Sequence, residues 1–397
     1  MTPSPTGLRE LLRELLAAPP NEYENRLEQA YEQATSPVGG CAVVFGTGQL
    51  GRFVLPGLRD AGIEPVAYCD NNPAVWGTSV DGVPVLSPAE AVAGYRDGAF
   101  FLTAIYNASK ARLQLESMGC TPIVSYPLFF QKHRRHLNDE RLDSPSRVLG
   151  QAADMEPAYQ LLADDESRVE FLAQIRWRCL LDSGRLPPAH VAEEAPFPPD
   201  LVRLRDDEVY VDCGAFDGDS VRAYLARVGD RFARIYAFEP DRTNLAKMAE
   251  SVAALPAALR TRITLVPCAL GREDGVVHFQ AEGSAGSRVT VDVGTIEVQR
   301  RSLDSYFGDE IHPTFIKMDI EGAEVDAIPG GAETIACSRP VMAVCAYHRP
   351  SDLWKLPVLL KEAYPGYMVF LRRYAEDCWE TIYYAIPPGR LPFAGGQ

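Results

Sequence analysis

The sequence predicts an α/β protein of two doubly wound units in series, and three observations carry that prediction. Short apolar runs alternate with helix-compatible segments in two separate series, one starting at Cys41 and one at Val209. Each series opens on a run that ends in a glycine turn: Gly46-Thr47-Gly48-Gln49-Leu50-Gly51 in the first, Asp212-Cys213-Gly214-Ala215-Phe216-Asp217-Gly218 in the second. The chain has 397 residues, too many for a single typical core, and its 46% hydrophobic and 23% charged residues are those of a folded globular protein.

Composition excludes several function classes. Lys plus Arg number 39 against 54 Asp plus Glu, a net charge of −15, so most of the surface would repel a phosphate backbone and no nucleic acid is expected as a partner. The longest apolar runs, such as Val341 to Ala346, fall far short of the roughly 20 residues a membrane span needs. The start, MTPSPTGLRE, lacks the basic-then-apolar order of a signal peptide. The expectation is a cytoplasmic protein with no membrane partner. Nine scattered cysteines with no Cys-x-x-Cys pair are predicted to be small buried thiols in a reducing compartment, not disulfides or a zinc site.

Residues 1–36 form a helical lead-in. Leu8, Leu11, Leu12, Leu15 and Leu16 recur at helical spacing, Pro19-Pro20 interrupts, and a polar helical stretch runs from Asn21 to Ala34. Residues 37–130 read as a Rossmann-like domain, with strands around Ala42–Phe45, Val66–Cys69, Phe100–Thr103 and Pro122–Ser125. Residues 131–200 lose the strand pattern, gain charge and end in Leu186-Pro187-Pro188 and Pro196-Phe197-Pro198-Pro199, a helical connector closed by a proline-rich linker. From 201 to 397 a second series follows, with strands at Val209–Asp212, Ile235–Glu239, Ile263–Val266, Phe315–Asp319 and Val341–Cys345. Tyr367–Leu371 and Thr381–Ile386 add an antiparallel hairpin to one edge.

The chemistry concentrates in the second series. Gly214 and Gly218 permit a tight strand-to-helix turn and close backbone approach to a ligand, and Glu239, ending the next strand, can accept both hydroxyls of a ribose. Asp217 and Asp219 stand at the following helix N-terminus, where they would repel a pyrophosphate but suit a cationic or neutral ligand. That favours S-adenosylmethionine over a dinucleotide. In order then come Phe238-Glu239-Pro240-Asp241-Arg242-Thr243-Asn244, Pro267-Cys268-Ala269-Leu270-Gly271 and Ile316-Lys317-Met318-Asp319-Ile320-Glu321-Gly322-Ala323-Glu324.

This ordered set resembles the FkbM family of S-adenosylmethionine-dependent methyltransferases over roughly residues 205–390. The resemblance implies a class I methyltransferase fold for the C-terminal domain. It implies a cofactor loop of Asp212, Gly214 and Gly218, with Phe216, Asp217 and Ser220 in the same turn. It also implies Glu239, Pro240 and Asn244 around the ribose, Cys268-Ala269 beside the adenine, Lys317 near the cofactor, and Ser287 touching it from the loop Gly283–Arg288. Asp319 would end the fourth strand facing the methyl group. Two departures stand out: the family usually has Asn where Phe216 stands, and a second Pro where Arg242 stands.

Methyl transfer to a hydroxyl needs alignment and a proton acceptor. Asp319 and His348 each follow a core-like strand, where open α/β sheets place their sites, and His348 is expected as the base because its ordinary pKa suits the role, with Asp319 orienting it, accepting a substrate hydrogen bond or holding a metal. A divalent metal held by Asp319, Glu324 and His348, with Glu321 nearby, is the competing use and is not the favoured one. The expected acceptor is a hydroxyl of a sugar-containing or polyketide-like small molecule, or of a saccharide. A homodimer is the open option for assembly.

The first glycine turn fits G-x-G-x-x-G, with Asp70 ending the next strand, and on the motif alone implies a dinucleotide. Its continuation through Asn71-Asn72-Pro73 and Gly82-Val83-Pro84-Val85-Leu86 resembles domains appended to sugar-modifying enzymes. Substrate recognition, a scaffold and NAD(P) binding all stay open for this unit. The alternative function is therefore an NAD(P)-binding oxidoreductase or a bifunctional enzyme. Against it, Tyr106 has no obvious Lys partner.

Overall fold

A computed structural model describes residues 5–137, 139–280, 288–290 and 296–392. Its contacts divide the chain into two compact units. The first comprises Met1–Ala152, Leu172–Pro188 and Ala375–Trp379, and the second Ala153–Phe171, Ala189–Tyr374 and Glu380–Gln397. Residues 131–200, read from the sequence as a connector, are thus shared between the units.

In the first unit, the helices Pro5–Ala17 and Pro20–Thr35 lead the chain, broken where proline is tolerated at a helix start but not inside one. The strands are β1 (Ala42–Phe45), β2 (Ala67–Cys69), β3 (Ser79–Val80), β4 (Val83–Leu86), β5 (Phe100–Thr103) and β6 (Ile123–Ser125). Their order is β3-β4-β2-β1-β5-β6, parallel except for the β3–β4 hairpin. β1 and β5 are buried along their whole length, which is why they read as continuous apolar runs. The β3–β4 hairpin is a strand pair that sequence reading missed. Its β4 contains Pro84, which a strand tolerates only at an edge or bulge, and Asp81 and Gly82 at φ 48° and 87° make the two-residue Asp-Gly turn that favours hairpins.

The second unit contains β7 (Val209–Cys213), β8 (Arg234–Phe238), β9 (Ile263–Val266), β10 (Ala269–Leu270), β11 (Gly275–Gln280), β12 (Arg288–Thr290), β13 (Ile296–Arg301), β14 (Phe315–Met318), β15 (Val341–Cys345), β16 (Met368–Arg373) and β17 (Thr381–Ile386). Its main sheet has the order β16-β17-β15-β14-β7-β8-β9. Five strands are parallel, and β17 runs antiparallel between β15 and β16, so the expected edge hairpin is present with its second strand inserted next to the parallel set. This is the class I methyltransferase-like arrangement. Strands β10 to β13 form a separate four-stranded sheet. The core holds Tyr210, Ala237, Phe315, Val341, Ala343 and Tyr384, one residue or two from each central strand.

None of the nine cysteines forms a disulfide, and seven of them are buried. No helix among the described residues is long and apolar enough to cross a membrane.

Candidate active site

The parallel strands of the second unit deliver their acidic and glycine residues to one edge, the carboxyl ends. Gly214, just past β7, has φ 80°, and a Cβ added there would lie 1.8 Å from the carbonyl oxygen of Asp319. Only glycine fits both the conformation and the space. Phe216 follows at φ 48°, a left-handed conformation that Asn tolerates better than Phe, and Gly218 at 88° caps the helix Asp219–Val228.

This bend aims the backbone N–H of Phe216 at Glu239 Oε2 (2.9 Å), while the N–H of Asp241 donates to Oε1 (2.8 Å). Each carboxylate oxygen keeps a lone pair for a further donor. Burial pushes Glu239 up to about 7 in spite of those two N–H groups. Around it, one cleft is lined by Gly214, Phe216, Pro240, Asn244, Cys268, Ala269, Lys317 and Asp319, all expected at the site.

Beneath the cleft, the β7–β14 register sets Lys317 against Asp212. The ammonium is 3.1 Å from Asp212 Oδ1 and 3.7 Å from Asp319 Oδ2, and it donates to the Gly214 carbonyl at 3.0 Å. Burial raises Asp212 to about 6, with Lys317 pulling the other way. Burial also opposes the charge of Lys317, but Asp212 and Asp319 override it and hold the amine protonated. Lys317 therefore braces the glycine turn as well as facing the cleft.

Asp319 extends from β14, and Tyr347 and His348 follow β15. The Tyr347 hydroxyl donates to Asp319 Oδ1 at 3.3 Å. His348 is 4% exposed; its Nδ1 lies 2.9 Å from Glu324 Oε1, and its Nε2 is 3.3 Å from Asp319 Oδ1 and 3.7 Å from Glu321 Oε2. Burial disfavours the imidazolium, yet Glu324, Glu321 and Asp319 together raise His348 to about 10. The three carboxylates thus favour the imidazolium, which opposes the role of base expected for His348. Burial likewise opposes charge on Asp319, but Lys317 and His348 hold it below the usual carboxylate range, and it is the ionised group of the pair that lines the cleft.

Other expected residues fall elsewhere. Asp212 lies under the floor, Gly218 packs toward Met248, and Ser220 is 9% exposed in the first turn of its helix. Asp217 turns to Arg222 in an ion pair of 2.7 Å, whereas Asp219 lines the cleft. Ser287 and the loop around it lie outside the described residues. Asp319, Glu324 and His348, named from the sequence as the set a metal would use, each place a ligand atom within 4.8 Å of the others.

The cleft residues that sequence reasoning did not assign include Phe279, Tyr347 and Glu380. Glu380 directly precedes β17, and because that strand is antiparallel its start lies at the carboxyl edge of the parallel set. Burial, then Asp319, raises Glu380 to about 7. The predicted hairpin contained the signal for it; the side chain simply sits at the opposite end of its strand from the other site residues.

In the first unit, the glycine motif sits between β1 and the helix Gln49–Asp60 as expected. Asp70 Oδ2 accepts the N–H and hydroxyl of Thr47 at 2.8 and 2.6 Å, and Oδ1 accepts the N–H of Asn72 at 2.8 Å. A Cβ on Gly51 would lie 1.9 Å from the Gly46 carbonyl oxygen. The motif's acid and one of its glycines thus have local structural roles.

Comparison with known proteins bears on the second unit. Residues 212–378 match the family model described as the methyltransferase FkbM domain. The 2-O-methyltransferase NoeI of Sinorhizobium fredii (strain NBRC 101917 / NGR234) is 27% identical over 157 residues, 34% of this chain. The match spans 62% of that relative's length. The crystal structure of methyltransferase FkbM from Methylobacillus flagellatus KT is similar in fold, with a TM-score of 0.74 at 22% identity over 96% of this chain and all of that one.

Proposed function

We propose, from an FkbM methyltransferase domain at residues 212–378, that the protein transfers a methyl group from S-adenosylmethionine to a hydroxyl of a saccharide or a related small molecule. The observation that carries this reading is Glu239. It is a buried carboxylate fixed by two backbone N–H groups at the end of the second parallel strand, with a lone pair left on each oxygen for a ribose. The fit extends to the other end of the ligand, because the cleft wall that continues from Gly214 to Asp319, Glu321 and Glu380 is acidic and suits a sulfonium better than a phosphate.

S-adenosylmethionine supplies the methyl group and the positive charge. The chain's own part is alignment and handling of the proton. Gly214 lets the backbone approach closely, Glu239 fixes the ribose, and Cys268-Ala269 with Phe238 form an apolar wall for a flat base. Asp319, ionised and braced by Tyr347 and Lys317, accepts a hydrogen bond from an acceptor hydroxyl and draws off its proton. A hydroxyl as the acceptor is supported by the likeness to a 2-O-methyltransferase. Buried cysteines that form no disulfide support a cytoplasmic address.

The test is incubation with methyl-labelled S-adenosylmethionine and a panel of mono- and oligosaccharides, glycosylated polyketides and amine-bearing analogues. Label in an O-methyl group is expected. Label found only on nitrogen or carbon would overturn the reading.

A further inference from the structure

Among the buried polar atoms with no hydrogen-bond partner are His348 Nε2, Glu324 Oε2 and Asp352 Oδ1. Such atoms are rare in a folded core, and each calls for an explanation. One of them belongs to an imidazole whose two nitrogens play different parts. Nδ1 is 2.9 Å from Glu324 Oε1, a carboxylate that also accepts the N–H of Ile320 at 2.9 Å and is therefore fixed. With Nδ1–H donating there, Nε2 is the ring nitrogen whose proton a bound cation would displace. It belongs to a side chain 4% exposed, and it faces Asp319 Oδ1 at 3.3 Å and Glu321 Oε2 at 3.7 Å.

We propose that Asp319, Glu321 and His348 bind a divalent cation of the Mg²⁺ or Mn²⁺ class, and that Glu324 positions the imidazole for it. Two ligands of such an ion, each about 2.1 Å from it, stand about 3.0–3.4 Å apart, the spacing already present between Nε2 and Asp319 and nearly so for Glu321. Two carboxylate oxygens and one imidazole nitrogen form a donor set for a hard to borderline cation, and no thiolate is needed. A carboxylate behind a ligating imidazole fixes its tautomer and orientation. Glu321 holds φ 55° and is followed by Gly322 at 96°, so the chain adopts a left-handed backbone, unfavourable for Glu, at the residue that brings a second oxygen to this nitrogen. Asp319 and Glu321 also line the cleft, so an ion between them would be open to a hydroxyl from that side and would make it easier to deprotonate. Only this last role rests on the methyl-transfer reading; the binding of the ion does not.

The test uses Mn²⁺ alone. The full chain is stripped with a chelator, dialysed and titrated with Mn²⁺ while the free ion is read by electron paramagnetic resonance. In parallel, S-adenosylhomocysteine binding is followed by calorimetry. One Mn²⁺ per chain is expected, lost in His348→Ala and Glu321→Gln, and weakened roughly 10- to 100-fold in Glu324→Gln. Retained S-adenosylhomocysteine binding in Glu321→Gln and Glu324→Gln reports that those variants are folded. Cofactor binding without any Mn²⁺ binding, or Mn²⁺ affinity unchanged in both conservative variants, would overturn the site and leave the methyl-transfer reading standing. Mn²⁺ binding with no methyl transfer to any acceptor would do the reverse.

Discussion

Glu239→Gln is a sharp perturbation because it keeps shape and removes charge. In the native protein each carboxylate oxygen accepts one backbone N–H, from Phe216 and Asp241, and would accept one ribose hydroxyl. Gln replaces one of those oxygens with a donor, which faces an N–H and cannot accept. Stability changes little, because two effects oppose. One N–H left unpaired costs about 1–3 kcal/mol. The rise of Glu239 from 4.5 to about 7 corresponds to about 3 kcal/mol of disfavoured ionisation that Gln does not carry. Binding has no such offset. Hydrogen bonds to a charged group contribute about 1.5–3 kcal/mol each, and the oxygen that remains still accepts one, so losing the other weakens S-adenosylhomocysteine by about 1.5–3 kcal/mol, roughly 10- to 100-fold at pH 8. Calorimetry gives the affinity and denaturant titration the stability. The same carboxyl predicts a pH dependence: ribose binding needs it ionised, so affinity falls as pH drops below about 7, by up to tenfold per pH unit. Its folded value lies above the unfolded one, so its stabilising contribution is full below about 4.5 and is lost as pH rises through 7. A Gln variant that binds like the wild type, or an affinity flat from pH 8 to 5.5, would refute the ribose assignment.

Two further substitutions test the floor of the cleft. Gly214→Ala places a Cβ 1.8 Å from the Asp319 carbonyl oxygen at φ 80°, so the backbone must move; a loss of at least about 2 kcal/mol in denaturant titration and of S-adenosylhomocysteine binding is expected, and native behaviour would contradict the close approach. Lys317→Met leaves Asp212 buried without its cation and should destabilise by about 3–5 kcal/mol, part of which Asp212→Asn restores in the double variant; additive losses would show that the two groups do not act as a pair.

The parallel strands were legible in the sequence because strands buried on both faces are apolar throughout, as in Val341–Cys345. The hairpin β3–β4 was not, since its short strands include Pro84 and lack a continuous apolar run. Cleft residues fixed by backbone turns could be named in advance: Gly214, Glu239 and Asp319 all end strands or begin turns. What side chains do to one another could not. His348 was expected as a base from its ordinary pKa, but three carboxylates around it arrive from Asp319, Glu321 and Glu324, and their combined field appears only once the two strand ends are adjacent. Glu380 needed the antiparallel insertion of β17, which depends on sheet order rather than local pattern.

The central claim is that the second unit holds S-adenosylmethionine, and titration of the purified protein with S-adenosylhomocysteine, NADH and NADPH in separate calorimetric runs tests it most directly. One site of micromolar affinity for S-adenosylhomocysteine, abolished by Glu239→Ala, is the expected result. Binding of a nicotinamide cofactor with none of S-adenosylhomocysteine would contradict it.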